Sequence, residues 1–350
     1  MAKKKSSFWK WILWLFVLAI FTVGIITGYR FYKKIYTPNI SIKERKEQFI
    51  LIPTGSTFGE VKEILINQNM LIDSASFSWV AKRMKYRNNI KPGRYLIKAG
   101  MSNKQIISLL RSGEQTPVDV SLNNIHTKLQ LAESVSSQIE ASSGSLMKML
   151  NDTAFTRQFG LTPENSLCFF IPNTYQIYWN TSATQFINRM KTEYNHFWTN
   201  ERKKEAVEDG LTRAQVAILA SIVQMETGKD DEKPTIAGVY INRLKKGWPL
   251  QADPTVIYAV GDFSLRRVFS GHREIDSPYN TYKYKGLPPG PICLAATASL
   301  DAVLHYTKHN YMYFCAKDDF SGYHAFAVSD KEQQLNAQRY HAALDRKGIR

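Results

Sequence analysis

Residues 217–228, AILASIVQMETG, read as an apolar helix that delivers one carboxylate, Glu226, just before a glycine stop. Thr212 followed three residues later by Gln215 makes a capping box ahead of it, and Gly228 suits the position just past a helix end. At about 100° per residue, Ile222, Leu219, Val223 and Gln215 fall within about 60° of the direction of Glu226, whereas Gln224 points roughly the opposite way. Glu226 therefore belongs to the stripe that faces the core. Burial disfavours its charged form, and so does the negative end of the helix dipole; both raise its pKa toward the range of a general acid. The plainer reading is a last-turn glutamate paired with a nearby lysine. The residues downstream decide between the two.

Asp230, Asp231 and Glu232 with Pro234 start a second helix over residues 236–244, which Gly247 ends. Residues 250–258 follow, where Asp253 before Pro254 has the character of an N-cap. Residues 277–282 and 286–292 are dense in Pro, Gly, Tyr and Asn, which describes long ordered loops of the kind that build binding sites on a rigid frame. Their tyrosines and asparagines offer stacking faces and amide groups, a chemistry suited to sugars.

The 350 residues are 44% hydrophobic and 22% charged, which excludes a disordered chain and suffices for about two folded units besides any anchor. A net charge of +16 suits nucleic acid, anionic lipid headgroups or an acidic wall polymer. Topology chooses among them. Lys3, Lys4, Lys5 and Lys10 precede an uncharged run over residues 11–28, followed by Tyr29, Arg30, Lys33 and Lys34. Its length matches a bilayer core, with Trp9, Trp11, Trp14 and Tyr29 as an interfacial belt and no A-x-A site to close it. We expect an uncleaved transmembrane anchor over residues 11–29 and a cytoplasmic tail over residues 1–10. An anchored, outward-facing chain belongs in the bacterial cytoplasmic (inner) membrane, which makes membrane lipid a partner and removes nucleic acid. Cys168, Cys293 and Cys315 fit neither a disulfide framework nor a CxxC metal site; they read as small buried hydrophobes, with a Cys293 to Cys315 bridge as the alternative.

After the anchor, residues 49–53 read as a strand, 56–68 as a helix that Ser56 caps, 74–85 as a second helix and 93–99 as a second strand. A short helix from Ser102 is closed by Ser112 and Gly113. This strand–helix–helix–strand order over residues 45–120 resembles a LysM-like module, a small glycan-binding unit, with a plain spacer as the other reading. Residues 129–139, 145–150 and 183–198 look helical, Ser142, Ser143 and Gly144 look like a break, and the string FFIPNTY at 169–175 looks like core leading into a turn.

Taken in order, residues 220–226, 236–244, 250–258, 279–282 and 286–292 resemble the endolytic murein transglycosylase family, the MltG or YceG-like proteins. The 170–175 string, the anchor and the LysM-like unit fall in the family's order as well. The resemblance implies an α+β chain: an N-terminal transmembrane helix, a small LysM-like subdomain and a larger mixed α+β catalytic domain over residues 121–345. It implies a lytic transglycosylase, without cofactor or metal, that cuts the β-1,4 bond between N-acetylmuramic acid and N-acetylglucosamine inside peptidoglycan strands and leaves 1,6-anhydro ends. Such an enzyme trims or terminates nascent strands, with peptidoglycan synthases as possible partners. Members typically carry two acids where this chain has Gln224 and Glu226, so Glu226 is the candidate catalytic glutamate; they carry Asp where this chain has Asn173. The resemblance assigns Gln251, Asp253, Tyr279, Asn280 and Tyr282 to substrate positioning, with Thr255, Tyr258, Asn173 and Tyr175 beside them. His324, near Phe326, is a further candidate for the cleft. The rival readings are a muramidase-type hydrolase with Asp253 as second carboxylate and a peptidoglycan-binding scaffold. A zinc enzyme rests only on His305 and His309, without an HExxH motif, and an S-x-x-K match at residues 145–148 lacks its companion motifs.

Overall fold

The computed structural model describes residues 5–43, 45–265 and 267–348; Lys3 and Lys4, at the start of the expected tail, lie outside them. The chain divides into two compact units, one formed by Met1–Val118 with Ile177–Asn180, the other by Asp119–Gln176 with Thr181–Arg350.

The first unit begins with α1 (Lys5–Tyr36), whose part over Phe8–Tyr36 is long and apolar enough to cross a membrane and whose most apolar window is unburied. The helix continues past the expected end of the anchor at Tyr29 because its last turns are gripped by the fold that follows. That fold is β1 (Glu47–Ile52), α2 (Phe58–Asn67), α3 (Ser74–Arg83), β2 (Gly93–Lys98) and α4 (Asn103–Ser112). β1 and β2 are antiparallel, with Ile50 opposite Tyr95 and Ile52 opposite Gly93. Period-two burial follows: Ile50, Ile52, Tyr95 and Ile97 join Val61, Leu65, Phe77, Val80 and Ile106 in one core. Thr57, rather than Ser56, caps α2, since only Thr57 has a glutamate three residues on; Glu60 accepts from the Thr57 backbone at 2.6 Å. A buried amide network ties α1 down. Asn103 Nδ2 donates to the Lys34 carbonyl at 2.8 Å and to Ser76 Oγ at 2.9 Å, while its Oδ1 accepts from Asn39 at 2.7 Å.

The second unit is mostly helical. After β3 (Val118–Ser121) come α5 (Lys128–Ser136), α6 (Ser143–Leu150), α7 (Thr153–Arg157) and β4 (Thr174–Ile177), which pairs with β3. Ser142, Ser143 and Gly144 are not a break: Ser142 caps α6, and the other two form its first turn. Then follow α8 (Ala183–Phe197), α9 (Asn200–Glu208), α10 (Arg213–Glu226), α11 (Lys233–Lys245), α12 (Asp253–Val260), α13 (Thr297–Leu304), the antiparallel hairpin β5 (Tyr313–Ala316) and β6 (His324–Ala327), and α14 (Asp330–Arg346). Helices with three small two-stranded sheets among the described residues make the chain α+β.

α10 is the axis of this unit. The expected capping box is present, with Gln215 N donating to Thr212 Oγ1 at 3.2 Å and Thr212 N to Gln215 Oε1 at 2.8 Å. Its burial is not confined to one stripe: Ala214 and every residue from Val216 to Val223 are buried, because α9, α11, α12 and α13 all pack on it. α11 is approached closely by the segment after α13 at Gly238, where a Cβ would stand 2.4 Å from the Thr307 carbonyl and 2.6 Å from His309 Nε2.

Candidate active site

Beyond Glu226 the backbone leaves the helix at once, with Thr227 extended at φ −144° and ψ 141°. Glu226 Oε1 accepts a short hydrogen bond from the hydroxyl of Tyr240, which α11 holds almost wholly buried and edge-on to Phe314 at 5.9 Å between ring centres. One turn along α11, buried Arg243 donates through Nε to the Met312 carbonyl at 2.8 Å and through Nη1 to the Leu250 carbonyl, so its charge is fixed beside Tyr240. Glu226 keeps a partly exposed surface while its carboxyl is crowded by protein atoms. Desolvation raises its pKa to about 7; the Tyr240 hydrogen bond and Arg243 pull the other way, and the charge of Asp253 adds to the rise. The Tyr240 hydroxyl is itself raised well above its usual range, by burial first and by Glu226 second.

Asp253 is not the cap of α12. Ala252 occupies the N-cap position and Asp253 is the first helical residue, so its carboxylate is turned to other partners. Oδ1 accepts from Tyr282 Oη at 2.5 Å and from Arg273 Nη2 at 3.4 Å, and the Arg273 guanidinium lies over the Tyr282 ring at 4.7 Å. Burial, with the bond to Asp253 next, pushes the Tyr282 hydroxyl up. Tyr258 and Tyr279 are neighbours with ring centres 4.6 Å apart, both partly exposed, and a Cβ on Gly290 would stand 2.8 Å from Tyr279 Oη. Gln251 is exposed and sits at φ +52°, a left-handed conformation uncommon outside glycine, with its N–H held by the Thr281 carbonyl at 3.0 Å.

Other expected site residues turn their polar atoms inward. Asn280 is fully buried: its amide donates to the carbonyls of Arg273 and Ile275, both at 2.8 Å, and its oxygen accepts from Tyr282 N at 3.0 Å. Thr255, also fully buried, bonds the Ala252 carbonyl at 2.7 Å and the Thr281 hydroxyl at 2.8 Å. These two shape the loop that presents Arg273 and Tyr282. Buried Tyr175 donates to the Ile171 carbonyl at 2.5 Å, and exposed Asn173 accepts from Thr174 N at 2.7 Å, so both make their bonds within their own turn. Gln224, on the far face of α10, is a clamp. Its Oε1 accepts from Ala296 N at 2.6 Å and Ser299 Oγ at 3.2 Å, and its Nε2 donates to the Leu294 carbonyl at 3.2 Å.

His324 pairs with buried Glu232 at 2.7 Å, joining β6 to the start of α11. His305 faces Glu205 and His309 faces the Thr235 carbonyl, so the two histidines do not converge. All three cysteines are free thiols. The fold thus gathers Glu226, Asp253 and Tyr282, and adds Tyr240, Arg243 and Arg273, which the sequence reading did not single out. For Tyr240 a signal existed: a hydroxyl inside the otherwise apolar run 236–241 must find a partner when buried.

The model of the YceG-like family matches residues 50–339. The chain belongs to the YceG-like family. This YceG-like chain is 28% identical over 338 residues to the endolytic murein transglycosylase of Bacillus subtilis (strain 168), covering 92% of this chain and 93% of the relative. It is 27% identical to the protein of the same name from Streptococcus pneumoniae serotype 2 (strain D39 / NCTC 7466), with 94% of this chain covered but only 64% of that longer relative. Among solved structures, it matches a crystal structure of a putative YceG-like protein from Listeria monocytogenes with a TM-score of 0.57 and 26% identity, over 83% of this chain and 98% of that one.

Proposed function

We propose that this YceG-like protein is a membrane-anchored endolytic transglycosylase of peptidoglycan, with Glu226 as its acid and then its base. The observation that carries the reading is the Glu226–Tyr240 pair: a carboxyl desolvated until its pKa is about 7, with one oxygen already engaged and therefore the other left for substrate. Burial thus favours the protonated form that the first step needs. Protonated Glu226 donates it to the leaving oxygen of the β-1,4 bond, and the sugar carbon gains oxocarbenium character. An ordinary glycosidase meets that carbon with a second carboxylate or a water placed by one. Here the substrate supplies the groups: its N-acetyl carbonyl steadies the cation and its 6-hydroxyl closes the 1,6-anhydro ring. Glu226, now a carboxylate steadied by the Tyr240 hydroxyl, takes the proton of the sugar's 6-hydroxyl and is restored. Acid–base help of this kind contributes roughly a hundred to ten thousandfold.

In this reading Asp253, Tyr282, Tyr279, Tyr258 and Gln251 meet the sugar, while Asn280 and Thr255 hold the loop in shape, and Asn173 and Tyr175 support the neighbouring turn. Tyr282 and Arg273 converge on Oδ1 of Asp253 and hold the carboxylate in place, and the product mass decides between the transglycosylase and the muramidase. Residues 11–29 cross the bacterial inner membrane, residues 1–10 stay in the cytoplasm, and residues 121–345 act on the wall outside. Residues 45–120 form a LysM-like glycan-binding module, a reading supported by its antiparallel strand–helix–helix–strand order. Trimming or terminating nascent strands places peptidoglycan synthases among its partners.

The test is digestion of purified peptidoglycan by the full chain in detergent, wild type beside Glu226→Gln, with products resolved by mass. The expected ends are anhydro, one water lighter than hydrolysed ends, and absent with the variant. Reducing ends that contain water indicate the muramidase, and no cleavage by either chain indicates a binding protein.

A further inference from the structure

The membrane end of the first unit carries a feature that cleavage does not use. Trp79 of α3 stacks on Phe31 of α1, with centroids 5.2 Å apart and planes 8° from parallel. Around the pair runs a groove of about 480 Å³ lined by apolar Phe31, Ile35, Trp79 and Val80 and by two cations, Arg83 and Lys104. Arg83 lies 5.3 Å from the Trp79 ring centre and Lys104 lies 5.1 Å from that of Tyr36. Among the described residues no carboxylate lines the groove or reaches ion-pair distance of Arg83 or Lys104. Lys34, also over Trp79, faces Asp73 and is less free.

Depth identifies the occupant. A hydrocarbon core of about 30 Å takes about 20 residues of helix at about 1.5 Å each. The anchor over residues 11–29 fills it, which leaves Phe31, Ile35 and Tyr36 in the headgroup layer. Because Asn103 holds the Lys34 carbonyl and α3 and α4 pack on α1, Trp79, Arg83 and Lys104 are fixed at that same depth. The groove is therefore continuous with the apolar surface of α1 at one end and rimmed by cations at the other, within the size range of small-molecule sites.

We propose that this groove binds one anionic phospholipid, its phosphate between Arg83 and Lys104 and an acyl chain along Phe31, Ile35 and Trp79; the proposal rests on reading α1 as a membrane span. A basic side chain at the surface favours anionic lipid severalfold, so removing both costs roughly thirtyfold in retention.

The experiment is native mass spectrometry of the full chain released from micelles containing equal phosphatidylglycerol and phosphatidylcholine. Wild type is expected to keep one phosphatidylglycerol, and R83Q/K104Q to lose it by tenfold or more. Both substituted side chains are exposed, so the fold is kept. K46Q/K98Q, which removes equal charge outside the groove, is expected to retain the lipid. Equal retention of the two lipids by wild type, or equal loss from both double variants, overturns the site. Membranes washed at alkaline pH separate the two levels of failure: a chain that washes off overturns the anchor and the site together, whereas one that stays while R83Q/K104Q keeps its lipid overturns the site alone.

Discussion

Replacing Glu226 by glutamine should stabilise the fold, and by an amount that grows with pH. The carboxyl goes from an ordinary 4.5 in the unfolded chain to about 7 in the folded one. A raised folded pKa means the folded state binds the proton more tightly, so the carboxyl's contribution is intact below 4.5 and is lost as pH rises through about 7. At about 1.36 kcal/mol per pH unit the full loss is about 3 kcal/mol, and water reaching the partly exposed side chain reduces it to roughly 1.5–3 kcal/mol. Glutamine cannot ionise, yet its oxygen still accepts from the Tyr240 hydroxyl. Thermal unfolding of wild type and Glu226→Gln, followed by near-ultraviolet circular dichroism between pH 5 and pH 8, measures the difference. For a unit of this size the variant should melt about 3–10 °C higher at pH 8 and within about 2 °C of wild type at pH 5. A difference that is the same at both pH values, or a variant less stable at pH 8, refutes the reasoning that burial holds this proton in place.

The rate of glycan cleavage should fall as pH rises through about 7, where Glu226 loses its proton. Tyr240→Phe, which removes a donor to the charged form, should move that limb up, and Asp253→Asn, which removes a repelling charge, should move it down; the limb position in pH–rate profiles checks both. Gln224→Leu should cost about 1–3 kcal/mol in denaturant unfolding, because it leaves the half-buried Ala296 N–H and the carbonyl of buried Leu294 without their partner, and Glu226 should keep its pH profile. Gly238→Ala should cost about 1–3 kcal/mol or more by the same assay, since a Cβ there meets the Thr307 backbone at 2.4 Å.

What was legible in the sequence was local. Caps act within a turn, so Thr212 with Gln215, the helix start at Ser102 and the stop at Gly247 could be read from spacing alone, as could the uncharged length of α1. Local rules also misled where two candidates competed. Thr57 took the cap from Ser56 because only it had the right partner at the third position, and Asp253 passed the cap to Ala252 and turned to Tyr282 instead. The rest depends on contacts between distant segments. That α10 is covered on all sides could not be seen from its own residues, since a stripe and a fully apolar helix differ only in what packs on them. Asn280 looked like a ligand-facing amide, and it became the centre of a loop only once the Arg273 and Ile275 carbonyls were brought to it. Tyr240 was hidden for the same reason: its meaning lies in Glu226, 14 residues away in sequence and one hydrogen bond away in space.

The hold of Asn103 on the last turns of α1 has a mechanical corollary. A transmembrane helix adjusts to a thicker or thinner bilayer by changing its tilt. With α3 and α4 fastened to the end of α1 through Asn103 and Asn39, there is no slack at which that rotation can dissipate, so the strand–helix–helix–strand module must swing with the helix through the same angle. On the reading of α1 as a membrane span, bilayer thickness would thereby set the direction in which the module points.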